Sequence, residues 1–214
     1  MGRLGRRGGR LSELAADLTR ALAQADVSRL ASRLASRVPV DASLAAESQL
    51  AAVSAVLRVV HGAPELLFIK RAELERDPWS GHMAFPGGRR EAGDASLEVT
   101  AVRETQEELA LNLTQGRILG RLDDLAPRNR VLPPIIIRPY VALVAPDVCL
   151  TPSREVAATF WVPIARLQDT RSITTYDVEM NGVRASFPAF RVAEHLVWGL
   201  TERIVRQLLT LVGP

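Results

Sequence analysis

The chain has 214 residues and a mass of 23.4 kDa, with 47% hydrophobic and 24% charged residues, a globular composition that excludes an intrinsically disordered chain. No apolar run reaches the roughly 18 residues of a membrane helix, which argues against a membrane partner, and the single cysteine, Cys149, excludes an internal disulfide framework and points to a reducing, cytoplasmic setting. The net charge of +3 is uneven: residues 1–38 hold eight arginines against three acids, net +5, while residues 39–214 are net −2, so the pI near 9.7 describes an arm and speaks against nucleic acid as the main partner.

In chain order, residues 1–10 (MGRLGRRGGR) are rich in glycine and arginine and are expected to be flexible. Leu11, Leu14, Leu18, Leu22, Leu30 and Leu34 then follow helical spacing, which predicts one long helix or two shorter ones over 11–37. Its apolar spacing fits packing on its own domain and a homodimer contact equally well. Glu13 and Asp17 interrupt any signal-peptide core. The arm shares its arginines and amphipathic pattern with organelle transit peptides, while its three acids favour a packing helix with a basic outer face. The expected division is a basic helical arm over 1–40 and one domain over 41–214.

Residues 53–60 read as a strand, 61–64 as a turn and 66–70 as a second strand, together a hairpin. A loop follows at 77–81, a short extended piece at 82–85, and then Pro86-Gly87-Gly88. Residues 95–109 contain good helix formers without glycine or proline and predict a helix. Strands are expected at 117–123, 135–144 and 157–162, and a hairpin over 172–187 with Asn181-Gly182 as its turn. Residues 192–212 read as a long amphipathic closing helix, with Trp161 and Trp198 in the core and Cys149 a packed thiol. Strands, hairpins and helices in this order predict an α/β fold of mixed α+β character, a mixed sheet flanked by helices.

The chemistry concentrates between Gly87 and Leu111. On a helix Glu104 and Glu108 stand one turn apart on the same face, with Glu107 beside them. Like charges at that spacing destabilise a helix unless something offsets them. A hard divalent cation does so, because Mg²⁺ takes carboxylate oxygens and keeps several waters. A Gly-Gly loop can add a carbonyl, since glycine lets backbone approach closely. A Glu-Glu pair by itself is usually a solvated helix face; the added Phe85-Pro86-Gly87-Gly88 makes the pattern far more specific.

These residues resemble the Nudix box, G-x5-E-x7-R-E-U-x-E-E-x-G-U with U bulky and aliphatic. Gly88 fills the first glycine, Asp94 the first acidic slot, and Arg103, Glu104, Glu107, Glu108 and Leu111 the right-hand half. Thr105 stands in an aliphatic slot, Ala110 in the second glycine slot, and Asp94 to Arg103 is one residue longer than the pattern. The extra residue and Ala110 are shared with the coenzyme A pyrophosphatase branch. Upstream, Leu67, Arg71, Ala72, Arg76, Gly81, Phe85, Pro86, Gly87 and Gly88 resemble that branch's added signature, with departures at Phe68 and Ile69 and one extra residue between Arg76 and Gly81.

The resemblance implies a Nudix-type α/β/α sandwich and a metal-dependent hydrolase of a diphosphate linked to another group. Mg²⁺ or Mn²⁺ would be held by Glu104, Glu107, Glu108 and the Gly87 carbonyl, with Glu107 or Glu155 as general base. Arg71, Arg76, Gly88 and Arg89 would meet the substrate, a small molecule with a nucleoside diphosphate link. Within the branch, that substrate is coenzyme A or an acyl-coenzyme A, cleaved to 3′,5′-ADP and (acyl-)phosphopantetheine. ADP-ribose, dinucleotides and (oxidised) nucleoside triphosphates are the enzymatic alternatives, and a nucleotide-sensing domain is the non-enzymatic one. The three retained glutamates favour an enzyme.

Overall fold

The structure is a computed structural model and describes residues 4–43, 49–73, 75, 79–127, 134–180 and 183–213. The helices are α1 (Leu4–Ala23), α2 (Ala25–Ser36), α3 (Leu97–Leu109), α4 (Ile164–Gln168) and α5 (Gly199–Val212). The strands are β1 (Gln49–Val60), β2 (Ala63–Arg71), β3 (Met83–Ala84), β4 (Gly87–Arg89), β5 (Arg117–Arg121), β6 (Ile135–Leu143), β7 (Val156–Pro163), β8 (Ile173–Met180), β9 (Val183–Val192) and β10 (His195–Trp198).

Seven strands form one mixed sheet, in which β6 runs parallel to β1 and the other pairings are antiparallel. The β1–β2 hairpin closes on His61-Gly62, both with positive φ (49° and 80°), the requirement of a two-residue type I′ turn. The two strands pair from Leu57 to Val60 against Ala63 to Leu66 and then part. Residues 83–89 enter the gap: Met83 and Ala84 pair with β2, and Gly87 to Arg89 pair with Val53 to Ala51 of β1. Ser54 N–H donates to the Pro86 carbonyl at 2.8 Å and Arg71 N–H to the His82 carbonyl at 3.0 Å. The Gly-Gly pair is thereby held inside the sheet, facing the helix that follows.

Alternation along β1 and β2 divides the core. Val56, Leu67 and Ile69 pack with Leu109, Leu111 and Leu113 at the end of α3, while Ala55, Leu57, Leu66 and Phe68 face a larger cluster with α2 and α5. The result is a sheet between helical layers, the α/β sandwich expected from the sequence. Strands β8, β9 and β10 form a second, antiparallel sheet that sends Phe190, Val192 and Val197 into the larger cluster.

Three expectations change. First, α1 begins at Leu4, so the described part of the Gly/Arg-rich stretch is helical; it extends the helix of the leucine-spaced residues after it, and adding a turn to an existing helix costs less than starting one. Second, the closing helix starts at Gly199, and His195–Trp198 is a strand. Ala193, at φ 50°, turns the chain so that His195 pairs with Val192; a helical apolar period read from 199–212 had extended backwards over a β-rich stretch. Third, Cys149 is exposed and Trp161 and Trp198 are only half-buried. The Asn181-Gly182 turn lies outside the described residues, though the β8–β9 pairing on either side of it forms as expected.

The apolar side of α2, with Val27, Leu30 and Leu34, is filled by the same chain. Arg29 donates to the Val212 carbonyl at 2.7 Å, and Arg33 to those of Thr210 and Leu211 at 3.2 and 3.0 Å. Two arginines of the basic arm therefore cap the end of α5, where free carbonyls and the helix dipole favour a cation.

Candidate functional site

Helix α3 starts at Ser96, whose hydroxyl accepts from Val99 N–H at 3.2 Å, and ends at Ala110 in the left-handed conformation. Its inner face is seated by Thr105, whose hydroxyl lies 2.9 Å from that of Ser54 on β1 and 2.7 Å from the Ala101 carbonyl. This buried pair explains why threonine serves in a slot that is otherwise aliphatic: Ser54 supplies the polar partner that a buried hydroxyl needs.

Glu108 is buried at 4% exposure. Its Oε2 accepts from Gly87 N–H at 2.9 Å, and its Oε1 stands 4.0 Å from the Arg71 guanidinium. Burial pushes its carboxyl up to about 7, against the opposing effects of the Gly87 N–H and Arg71. Glu104 is also raised, by burial first, although Arg103 lowers it. Glu104 and Glu155 both add negative charge at Glu108, and Glu107 and Glu155 do so at Glu104. Exposed Glu155 thus belongs to the same anionic cluster. Its loop is tied to α3 by Thr151 N–H to Leu109 carbonyl (2.8 Å) and Ser153 N–H to Glu108 carbonyl (2.7 Å), and to β2 by Ala72 N–H to the Glu155 carbonyl (2.8 Å). Nothing in the sequence spacing signalled those three bonds.

The glycines have separate reasons. A Cβ on Gly87, at φ 151°, would come within 2.3 Å of the Ala52 carbonyl oxygen, and a Cβ on Gly88 would lie 2.5 Å from the Glu104 carboxylate. Gly88 leaves open the cradle that the Glu104 carboxylate occupies.

Asp94 and Arg103 hold the assembly in register. Arg103 Nε and Nη2 donate to the two Asp94 oxygens at 3.1 Å each, Nη2 also reaches the Arg89 carbonyl (3.0 Å), and Nη1 meets Glu107 (2.9 Å) and Glu104 (3.0 Å). Asp94 further accepts from Thr100 Oγ1 and Glu91 N–H, both at 2.9 Å. Arg103 beside it holds the Asp94 carboxyl well below the usual range. The longer spacing from Asp94 to Arg103 does not prevent this pairing.

Of the residues singled out in the sequence, Gly87, Gly88, Arg71, Glu104, Glu107, Glu108 and Glu155 come together, Glu107 on the exposed side and turned to Arg103. Arg89 is exposed and contributes its carbonyl to Arg103. Arg76 lies outside the described residues. Among the described residues no three His, Cys, Asp or Glu side chains form a ready-made metal cage. The donor set nevertheless fits a hard divalent cation. Its ligating groups are all oxygens, the buried Glu108 and half-buried Glu104 carboxylates crowd one another, and Mg²⁺ is typically held by one or two carboxylates together with substrate phosphates and water rather than by an all-protein cage. No described helix is long and apolar enough to cross a membrane.

The NUDIX domain profile matches residues 49–179. The chain is 32% identical over 175 residues to the human mitochondrial coenzyme A diphosphatase NUDT8, covering 81% of this chain and 73% of that one. It is 33% identical over 146 residues to the Nudix hydrolase NudL of Photorhabdus laumondii, covering 68% and 75%. A solved MutT/nudix family protein from Enterococcus faecalis superposes with a TM-score of 0.53 at 16% identity, over 78% of this chain and 62% of that one, and so shares the fold.

Proposed function

The chain belongs to the NUDIX domain family and is a hydrolase of phosphoric anhydrides, and we propose that it cleaves the diphosphate of coenzyme A or acyl-coenzyme A to 3′,5′-ADP and (acyl-)phosphopantetheine. The chemistry rests on one observation above all: Glu104 and Glu108 are crowded and desolvated beside Gly87-Gly88. The substrate assignment is supported by the likeness to a coenzyme A diphosphatase.

In this reading Glu104, Glu108 and the Gly87 carbonyl hold Mg²⁺ or Mn²⁺, with Glu107 completing the set. The cation supplies charge neutralisation for the diphosphate and activation of a water for attack on phosphorus. Gly87 N–H fixes the Glu108 carboxylate, leaving Oε1 towards Arg71. Arg71 offers a phosphate a charged, forked donor, and Arg76 and Arg89 are further phosphate contacts. Arg103, clamped by Asp94, sets the rotamers of Glu104 and Glu107. Glu107 or Glu155 takes the proton of the attacking water; the charge of Glu155 is felt at both Glu104 and Glu108. The lone cysteine suits a reducing compartment.

The test is an assay of the purified chain with Mg²⁺ or Mn²⁺ against coenzyme A, acyl-coenzyme A, ADP-ribose, NADH and nucleoside triphosphates, with products weighed by mass spectrometry. Release of 3′,5′-ADP as the preferred reaction is expected. A preference for ADP-ribose would overturn the substrate while leaving the mechanism, and no metal-stimulated hydrolysis at all would favour a nucleotide sensor.

A further inference from the structure

The second sheet has an aromatic face that the reaction chemistry does not use. Tyr176 and Phe187 are directly opposite one another on β8 and β9, and Trp198 on β10 pairs with Ala189, two residues beyond Phe187 and so on the same face. Trp198 lies 4.3 Å from the Tyr176 ring at 30°, and 5.8 Å from Phe187. The fourth ring is His82, 4.9 Å from Trp198. All four rings are half-buried, whereas Phe190, Val192 and Val197 on the other face of the sheet lie in the core.

This cluster is wired to the phosphate end. The His82 backbone carbonyl accepts the Arg71 backbone N–H, and the Arg71 guanidinium stands 4.0 Å from Glu108. Arg71 therefore joins the two places, its backbone bonded to that of His82 and its guanidinium directed to the Glu108 carboxylate.

Resting on the diphosphatase reading above, we propose that Tyr176, Phe187, Trp198 and His82 form the subsite for the purine base of the substrate. Adenine is the one flat ring system of coenzyme A, and flat aromatic surfaces gain most from stacking on another flat ring. The tyrosine hydroxyl and indole N–H supply polar tips for the edge of a base. The pantetheine arm, flexible and aliphatic, makes no comparable use of ring faces. The same subsite serves any adenine-bearing diphosphate, so it sets specificity separately from the carboxylates that perform the cleavage.

The two halves of the substrate can be tested apart. Binding of 3′,5′-ADP and of phosphopantetheine to the full chain is measured by calorimetry with Mg²⁺ present, for the wild type, Tyr176→Ala, Tyr176→Phe and Phe187→Leu, with thermal unfolding as the check on folding. Tyr176→Ala is expected to weaken 3′,5′-ADP about tenfold to hundredfold, with phosphopantetheine changed less than about twofold, and Tyr176→Phe to recover most of the affinity. In turnover the loss falls mainly on KM. Should Tyr176→Ala fail to fold, Phe187→Leu carries the same comparison. Equal weakening of both halves, loss confined to phosphopantetheine, undiminished 3′,5′-ADP binding, or no 3′,5′-ADP binding by the wild type overturns the subsite. A wild type that binds 3′,5′-ADP through these rings yet does not cleave coenzyme A instead overturns only the substrate.

Discussion

A Cβ placed on Gly88 would lie 2.5 Å from the carboxylate carbon of Glu104, so one hydrogen atom at residue 88 decides where this half-buried carboxylate can stand. The obstructed atoms belong to the far end of a flexible side chain, not to backbone, and the fold can absorb the change by moving it. Gly88→Ala is therefore expected to lower kcat/KM by about 100-fold, since misplacing a metal-binding group by about 1 Å has that order of effect, while the unfolding midpoint shifts by no more than a few degrees. A fully active Gly88→Ala enzyme would remove Glu104 from the mechanism.

Glu108 makes a trade of stability for function. Its folded carboxyl titrates at about 7 against an ordinary 4.5, chiefly because it is buried. For an acid raised in this way, the metal-free fold is most stable below the ordinary value and loses stability as pH climbs from 4.5 to about 7. Glu108→Gln keeps an acceptor for Gly87 N–H and removes the buried charge. Without metal at pH 8 the variant should exceed the wild type by about 1 to 3 kcal/mol, with the two meeting near pH 4.5. With Mg²⁺ or Mn²⁺ at pH 8 the order reverses, and the variant has lost metal-dependent turnover. Thermal melts over pH with and without a chelator read both effects.

Cation binding should itself depend on pH, because a protonated Glu108 must release its proton first. The rise in melting temperature on adding Mg²⁺ is expected to be larger at pH 8 than at pH 5.5. An equal rise at both values would place the cation away from Glu108.

Asp94 is shifted the other way. Arg103 holds its carboxyl below the usual range, so the stabilisation it gives is present above the ordinary aspartate value near 4 and is lost as pH falls below it. Asp94→Asn should be less stable than the wild type at neutral pH, and the difference should narrow on acidification. Activity is expected to fall about 10- to 100-fold, because Arg103 no longer sets Glu104 and Glu107. A pH series of melts, together with kcat, checks this positioning role.

Ala110 ends α3 at φ 53° and is exposed. A residue with a Cβ is strained there, and glycine is not. Ala110→Gly is expected to raise stability by about 0.5 to 1 kcal/mol, measured by denaturant unfolding, with turnover essentially unaltered.

The sequence by itself determined the elements whose signals are local. The helical run up to Leu109, the hairpin with its turn read over 61–64 (which closes on His61-Gly62, with Ala63 and Pro64 already in the strand), the paired strands β8 and β9 and the box from Gly88 to Leu111 depend on spacing, turn residues and propensity, all of which can be read along a few residues of chain. It also identified Glu104, Glu107 and Glu108 as a group, because helical geometry puts residues three and four apart together. Where His195–Trp198 belonged was decided by pairing with β9, which overrode an apolar period that continued smoothly into α5. The partners of the site came only from tertiary structure: Ser54 meeting Thr105, the Glu155 loop sewn to the end of α3, Arg29 and Arg33 turned from a basic arm into caps on α5, and His82 meeting Trp198. Each of those contacts joins residues separated by tens of positions or more. They form because burying apolar surface brings the layers together, and hydrogen-bonding groups left between the layers must then find partners.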